Sequence, residues 1–375
     1  MFFIIKVNNY VIIFQKELSV LKKINLFFYI IFFFVIIYFL FTNNTKLEFV
    51  EKYEIENLPK ICGDINLGGF SDLFYKDNYL YAITDRGPNS DDFIKDEKLY
   101  RTFPCQNYTT HLVQFELKDK KANIVKITPI KDLYGIPVSE EKDSIPVDKN
   151  GKKIPFNING ADVESFIIDK NGNYWFAEEY YPSIIKLDKN LNIVKRFAPK
   201  NCEIKNPKII YNLPEQLNNI QKNLGFESMA YDGNENIFVF TQAGLKGEKD
   251  IIILKFNIQT EQVEEIFKYN FFEKCKLSAT VFVEENKFFV AEKLYKKHFL
   301  NEISLKKEKY KRSAILRTLT SSDKITENIK IEGIAKNNDD IYIINDNDFG
   351  IDNENIKTTF INHYKIKEHK FLKKK

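Results

Sequence analysis

The 375-residue sequence predicts an all-β protein, a β-propeller, that follows an N-terminal transmembrane helix. Two observations predict the propeller: strand-like runs joined by polar turns recur along the chain, and similar polar residues return at the same place in each repeat. A third observation, an unbroken apolar run near the N-terminus, predicts the helix.

Composition narrows the class of protein. Apolar residues make up 44% of the chain, which is enough to build a core and excludes a wholly disordered protein. The net charge is only +4, and both signs are spread along the sequence. We therefore expect no nucleic-acid partner, because such a partner calls for positive charge concentrated on one face.

The apolar run extends from Leu26 to Phe41, and its flanks bring it close to the ~20 residues that span a bilayer. Lysines precede it, so the positive-inside rule keeps the N-terminus in the cytoplasm and exports the rest. The exit lacks the small residues of a cleavage site, which favours a single-pass anchor over a signal peptide. The predicted organisation is a cytoplasmic segment (1–23), an anchor (24–42), a linker with a first strand (43–63) and a propeller (64–370). The propeller would lie in the periplasm or at the cell surface, or be secreted if the segment is cleaved.

Four cysteines follow the anchor, and none forms a C-x-x-C pair, so we expect no zinc site. Export permits disulfides, but the spacing does not decide between disulfides and buried thiols. The cysteines are Cys62, Cys105, Cys202 and Cys275.

Five repeats are visible, and each reads as a strand, a polar turn and a second strand that ends in a polar pair. The first strands open with Ser71, Glu164, Glu227, Ser278 and Glu332. The polar pairs are Asp85-Arg86, Glu178-Glu179, Thr241-Gln242, Glu292-Lys293 and Asp346-Asn347. Two further strands follow in several repeats, and four strands at a spacing of roughly fifty residues are typical of a propeller blade. We expect six blades, because the long first interval holds either an insertion (132–159) or a degenerate blade; a β-sandwich is the competing fold.

In a propeller the innermost strands line one channel, so the recurring acidic residues should converge on it. Close carboxylates repel one another and need bound cations or basic partners such as Arg86 and Lys293. Oxygen ligands without His or Cys suit a hard cation, and outside the cytoplasm Ca²⁺ is the expected one. The alternative is that these residues are solvated rims and turn formers. The predicted metal ligands are Asp85, Glu164, Glu227, Glu332 and Asp346.

The motifs GGFSDL, YAITDRGP, ADVESF, NLGFESMAYDGN and INDNDFG, in this order, resemble the phytase-like family, whose members are described as having esterase-like activity. The resemblance covers residues 64–350. It implies a β-propeller, and similarity to β-propeller phytases implies Ca²⁺-dependent hydrolysis of phosphate esters at an acidic, cation-lined opening.

These features together predict an exported hydrolase of phosphate or carboxylic esters, with a small-molecule ester as its substrate. Arg86 would bind and neutralise the substrate anion, and Lys293 and Asp348 would also bind substrate. Glu178 or Glu179 would be the general base. A non-catalytic propeller that binds an envelope component or a protein, and a lactonase-like hydrolase, remain alternatives.

Overall fold

The computed structural model describes residues 3–7, 10–14, 46–139, 143–221, 223–271, 275–294, 297–306, 309–319, 330–351 and 358–367. The chain divides into two compact units, residues 1–45 with 368–375 and residues 46–367. In the first unit, Phe3–Val7 (β1) and Tyr10–Phe14 (β2) form an antiparallel hairpin. The predicted anchor at 24–42 lies outside the described residues, and none of the helices in the described ranges has the length and hydropathy to cross a bilayer.

The second unit consists of strands, with 3₁₀ turns at Glu215–Asn219 and Asp348–Gly350. In chain order the strands are Lys46–Glu54 (β3), Lys60–Cys62 (β4), Ile65–Asn66 (β5), Phe70–Lys76 (β6), Tyr79–Thr84 (β7), Phe93–Lys95 (β8), Lys98–Thr102 (β9), Thr109–Lys118 (β10), Lys121–Tyr134 (β11), Ile145–Val147 (β12), Val163–Ile168 (β13), Tyr174–Glu178 (β14), Ser183–Leu187 (β15), Ile193–Pro199 (β16), Ile209–Leu213 (β17), Phe226–Tyr231 (β18), Asn236–Gly244 (β19), Asp250–Asn257 (β20), Gln262–Asn270 (β21), Lys276–Glu284 (β22), Lys287–Leu294 (β23), Lys297–Lys306 (β24), Lys309–Leu319 (β25), Lys330–Asn337 (β26), Asp340–Asp346 (β27) and Phe360–Lys367 (β28).

These strands form the blades of a β-propeller. Blade 1 is β6-β7-β10-β11, blade 2 is β13-β14-β15-β16 with β17 added at its edge, blade 3 is β18 to β21, blade 4 is β22 to β25, and blade 5 is β26-β27-β28-β3. The innermost strands contact one another in a closed cycle, β6 with β13, then β18, β22, β26 and back to β6. The ring built by the described strands therefore has five members, where the sequence led us to expect six.

The ring is closed by the N-terminal strand β3, which pairs with β28 from Phe360↔Glu54 to Lys367↔Lys46 and so supplies the outer strand of blade 5. Against blade 1, β3 pairs only at Lys121↔Glu54. An N-terminal strand that completes the C-terminal blade ties the two ends of the ring together.

The long first interval holds insertions and not a degenerate blade. Strands β8 and β9 lie between β7 and β10, and β12 lies between β11 and β13. The three pair as β12-β9-β8, and we call them the insertion sheet. A disulfide between Cys62 and Cys105 joins this region to β4, and the other two cysteines, Cys202 and Cys275, are buried thiols.

Apolar side chains fill the spaces between neighbouring blades. One cluster contains Trp175 and Phe197 of blade 2 with Phe226 and Phe256 of blade 3, and similar clusters lie between the other blade pairs. Burial of such aromatic faces supplies most of the stability of a sheet-on-sheet contact. The blades are thus held by their faces, and the inner strands are left to line the channel.

Hydrogen bonds also link the inner strands of neighbouring blades. They are made by the side chains that directly follow the recurring Ser or Glu, which are Asp72, Ser165 and Ser228. Ser165 donates its hydroxyl to Oδ2 of Asp72 on the next blade, and the amide of Met229 donates to Ser165 Oγ over 2.8 Å. Ser228 Oγ accepts from the amide of Thr280 over 2.9 Å. These links fix the register of the inner strands, and with it the positions of the residues above them.

Candidate functional site

The first residues of the inner strands open into a cavity of about 690 Å³, which we call the site cavity. Later residues of the same strands line a second cavity of about 400 Å³, so the two lie at opposite ends of the channel. Eight of the predicted site residues line the site cavity: Asp85, Arg86, Glu164, Glu179, Glu227, Lys293, Glu332 and Asp348. The propeller therefore brings together residues that are far apart in sequence, as the repeats predict.

A cluster of three carboxylates, Asp162, Glu164 and Glu179, which we call the carboxylate triad, lies at one side of the site cavity, and Glu164 and Glu179 line the cavity itself. Each offers an oxygen within 4.8 Å of the other two. Asp162 Oδ2 and Glu179 Oε1 are buried and accept no hydrogen bond from the described residues, although the Arg86 guanidinium lies 2.8 Å from Asp162 Oδ2. Buried carboxylate oxygens without donors need a proton or a cation nearby.

Burial and neighbouring carboxylates shift the ionisation of two members of the triad, Glu164 and Glu179. Burial raises the pKa of Glu164 well above its ordinary value, and the negative charges of Asp162 and Glu227 raise it further. Burial also raises the pKa of Glu179 well above normal, with Glu227 and Asp162 adding to the rise. Arg86 and Lys276 oppose the rise in the pKa of Glu179, and Arg86 pairs with Asp162. Crowded carboxylate oxygens of this kind are the donors that a hard cation prefers.

Glu227 lies beside the triad. Its Oε2 accepts a hydrogen bond from Gln242 Nε2 over 2.6 Å. Burial, and then the charge of Glu332, raise the pKa of Glu227 to about 8. This carboxyl group therefore holds or releases a proton near neutral pH.

Three lysines from blades 4 and 5, Lys276, Lys293 and Lys330, also line the site cavity, and we call them the lysine group. Lys330 Nζ lies 2.6 Å from Asp346 Oδ2, 2.9 Å from Asp348 Oδ1 and 3.6 Å from Glu332 Oε1. Lys293 Nζ lies 3.9 Å from Glu332 Oε1. Two expected metal ligands, Glu332 and Asp346, therefore have lysine partners that compensate their charge, and their assignment as ligands stays a prediction.

Arg86 lies between the triad and the insertions. Its Nη1 is 2.8 Å from Asp162 Oδ2, close enough for an ion pair although not aligned as a hydrogen bond, and it donates to Asn223 Oδ1 over 2.6 Å. Asp85, the preceding residue, accepts from the amide of Gly87 over 2.8 Å. Burial raises the pKa of Asp85 well above normal, and Asp346 and Asp162 raise it further.

Glu178, one of the two residues predicted as general base, lies behind the site cavity. It is completely buried and does not line the site cavity. Its Oε1 accepts from the amide of Tyr180 over 2.8 Å, and its Oε2 accepts from Ser183 Oγ over 2.9 Å and pairs with Arg196 Nη2 at 2.6 Å. These donors occupy the acceptors of Glu178 and stabilise the chain behind the site. A role for Glu178 as general base stays a prediction, which its position away from the cavity does not favour. Glu292 is likewise buried and accepts from the hydroxyl of Tyr269.

Three residues that sequence reasoning missed share one repeat position. Asp162, Lys276 and Lys330 each stand two residues before the recurring Ser or Glu of their blade. In blades 1 and 3 that position is Gly69 and Gly225. A Cβ at Gly69 would lie 2.6 Å from Asp85 Oδ1 and closer still to the Phe349 ring, and its φ is +64°. A comparison of this position across the five repeats would have identified all three side chains as candidate site residues.

Comparisons with known proteins place the chain in a family. A family model described as Phytase-like, esterase-like activity of phytase, matches residues 65–349. No curated protein matches the chain significantly.

Three solved structures show a distant likeness. A GH43 β-1,3-galactosidase bound to galactodeoxynojirimycin is 10% identical, with a TM-score of 0.45 over 86% of this chain and 96% of that one. A luciferin-regenerating enzyme is 11% identical, with a TM-score of 0.40 over 80% and 94% of the two chains. A streptogramin B lyase is 12% identical, with a TM-score of 0.39 over 86% and 98%. These values are too low to bear on function. Since the family model spans most of the propeller, the protein belongs to the phytase-like family.

Proposed function

We propose that the protein is an exported hydrolase of phosphate or carboxylic esters and that the reaction takes place in the site cavity. The observation that carries the proposal is the carboxylate triad, two members of which, Glu164 and Glu179, line the same cavity as the lysine group. Glu179 Oε1 is buried there and accepts no hydrogen bond from the described residues. Cation-binding oxygens beside ammonium groups suit an ester whose transition state gains negative charge. Membership of a family described by esterase-like activity supports the same class of reaction.

The triad is the proposed cation site, and Ca²⁺ is the proposed ion. Asp162, Glu164 and Glu179 would hold it, in place of the wider set predicted from sequence. A cation bound there supplies charge that stabilises an ester oxygen and lowers the pKa of bound water.

Other residues supply binding and proton transfer. Lys330 is already paired with three carboxylates, so Lys276 and Lys293 are the lysines proposed to contact the substrate anion. Arg86, held by Asp162 and Asn223, is proposed to face the anion from the other side. Because Glu179 belongs to the triad, we assign the proton acceptor to Glu227, whose pKa of about 8 suits general base catalysis near neutral pH.

The test is hydrolysis by the full chain of p-nitrophenyl phosphate, phytate, p-nitrophenyl acetate and δ-gluconolactone, with Ca²⁺ or with EDTA. We expect turnover of at least one ester that EDTA abolishes and that Glu227→Gln lowers by about 10²-fold or more, the usual effect of losing a general base. Glu116→Gln, an exposed change on β10, is the matched control. Turnover of the lactone alone would indicate the lactonase-like alternative. No turnover of any substrate by folded protein would leave a binding protein as the better interpretation.

The anchor at 24–42 remains part of this proposal. Fractionation of cells that express the full chain, followed by alkaline extraction, tests it. Retention in the membrane pellet supports an anchor, whereas release of a shortened soluble form supports a cleaved signal segment.

A further inference from the structure

The stretch of chain between β7 and β10 forms one wall of the site cavity, which is lined there by residues 88–91, before β8, and by Arg101. Arg101 lies on β9 and is only 8% exposed. Its Nε donates to Asp92 Oδ1 over 2.8 Å, within the same insertion. Its Nη1 is buried and has no hydrogen-bond partner among the described residues.

A guanidinium with an unsatisfied buried donor is unusual. Arginine carries donors on more than one edge, and Asp92 uses only the Nε edge. Leaving a buried charged donor without an acceptor costs free energy, and native proteins retain such groups mostly where a ligand or water completes them. The unpaired edge of Arg101 therefore calls for an acceptor, and the cavity that Arg101 lines is the place from which a ligand would supply one.

A second guanidinium, that of Arg86, also lines the site cavity. Both side chains come from the chain that follows β7 of blade 1, whereas the lysine group comes from blades 4 and 5. The positive charges of the site cavity thus fall into two groups of separate origin.

We propose that Arg101 determines substrate specificity by binding an anionic oxygen group, a carboxylate or a phosphate, that the substrate carries in addition to the ester it loses. The planar fork of arginine pairs with either group through two parallel hydrogen bonds. Describing this ligand as part of a substrate rests on the proposed hydrolase function, but the anion subsite itself does not.

Calorimetric titration of the full chain with inorganic phosphate and with succinate, at constant ionic strength, tests the subsite without catalysis. Arg101→Gln is expected to weaken binding of one of these anions about tenfold, the loss expected for a charge-assisted bidentate pair. The anion that is weakened identifies the preferred group. Lys98→Gln, an exposed change on the same strand, controls for net charge and should bind as the wild type does. Equal binding by Arg101→Gln and wild type would overturn the proposal.

A purely structural role for Arg101 predicts a different pattern. Asp92→Asn keeps an acceptor for Arg101 Nε but removes the ion pair, so it should retain anion binding. Equal losses in Asp92→Asn and Arg101→Gln would show that the ion pair merely supports the insertion, and would overturn the proposal. If Arg101→Gln does not fold, Arg101→Lys tests the subsite instead. Lysine keeps the positive charge but lacks the planar guanidinium fork. Anion binding by Arg101→Lys within twofold of wild type would overturn the proposal.

Kinetics separate this inference from the proposed function. With p-nitrophenyl hydrogen succinate, Arg101→Gln should raise KM about tenfold with little change in kcat, and with p-nitrophenyl acetate it should change neither. If the wild type cleaves no ester while Arg101→Gln still loses anion binding, the hydrolase proposal fails and the subsite stands. If esters are cleaved and Arg101→Gln behaves as wild type in both assays, the subsite fails and the hydrolase proposal stands.

Discussion

Arg196 Nη2 lies 2.6 Å from Glu178 Oε2, and both side chains are buried behind the site cavity. Arg196 also donates to Ser183 Oγ over 2.9 Å and to the carbonyl of Gly160 over 3.0 Å. Burial raises the pKa of Glu178, while Arg196 and Ser183 oppose the rise by stabilising the carboxylate. The pair links β14 and β16 of blade 2 to the chain that enters the blade, just before Asp162 of the triad.

Glu178→Gln is therefore expected to destabilise the fold by about 3–5 kcal/mol, because it leaves the Arg196 charge buried without a counter-ion. The folded fraction should keep its activity, since Glu178 does not reach the site cavity. Urea unfolding measures the free energy, and Glu116→Gln is the exposed control. A variant as stable as wild type but inactive would restore Glu178 as a catalytic residue.

Glu164 and Glu332 occupy the same repeat position in blades 2 and 5 but have different surroundings. Glu164 lies in the triad, whereas Glu332 lies near Lys330 and Lys293. We expect Ca²⁺ to raise the Tm of the wild type and of Glu332→Gln, and to have little effect on Glu164→Gln. At 100 times Kd a single bound ion stabilises by about 2.7 kcal/mol, which thermal unfolding detects easily.

The calcium responses of Glu164→Gln and Glu332→Gln, measured side by side, locate the cation within the cavity. A lost calcium response in Glu332→Gln with an intact one in Glu164→Gln would place the cation among the blade 5 acids. Magnesium at the same concentration tests the preference for the larger ion.

Asp72, on the inner strand of blade 1, gives the stability a predictable pH dependence. Burial raises its pKa from 3.8 to about 8, although hydrogen bonds from Ser165, Leu73 and Phe166 oppose the rise. Between these two values the folded protein keeps a proton that the unfolded chain releases, so the contribution of Asp72 to stability falls as pH rises from about 4 to 8.

Asp72→Asn removes this titration and resembles the protonated acid in shape. Its Tm should match that of the wild type most closely at or below pH 4 and exceed it by a growing margin as the pH rises to 8, with EDTA present in both. A lower Tm for the variant at pH 8 would mean that the donors around Asp72 keep the carboxylate ionised.

The parts of the fold that the sequence could predict are those repeated in each blade. Glu164, Glu227 and Glu332 recur with the inner strand, so their meeting in one cavity follows from the propeller. The sequence does not predict that β3 closes the ring. This strand pairs with β28, near the other end of the chain, and not with a strand close to it in sequence. A five-membered ring therefore could not be told from a six-membered one.

Within the site, the sequence could not choose between neighbours. Glu178 and Glu179 are adjacent at the end of β14, and successive residues of a strand point to opposite faces, so only one of them could line the cavity. Arg196 pairs with Glu178 and leaves Glu179 to line the cavity. Because Arg196 lies on another strand and is not part of the recurring pattern, the sequence does not reveal this pairing. The sequence did not identify three further site residues, because the repeat position that they share holds three different residue types, including glycine in two blades. These residues are Asp162, Lys276 and Lys330.

The disulfide between Cys62 and Cys105 closes a loop with a sequence separation of 43 and joins β4 to the insertion that follows β9. Chain-entropy arguments give a cross-link of this length about 4 kcal/mol of stability, and such bonds persist in exported proteins. Cys62→Ser combined with Cys105→Ser should lower the free energy of unfolding by up to that amount. Dithiothreitol should bring the wild type down to the level of the double variant while leaving the variant unchanged. A wild type indifferent to the reductant, when isolated from an oxidising compartment, would contradict both the pairing and the expected stabilisation.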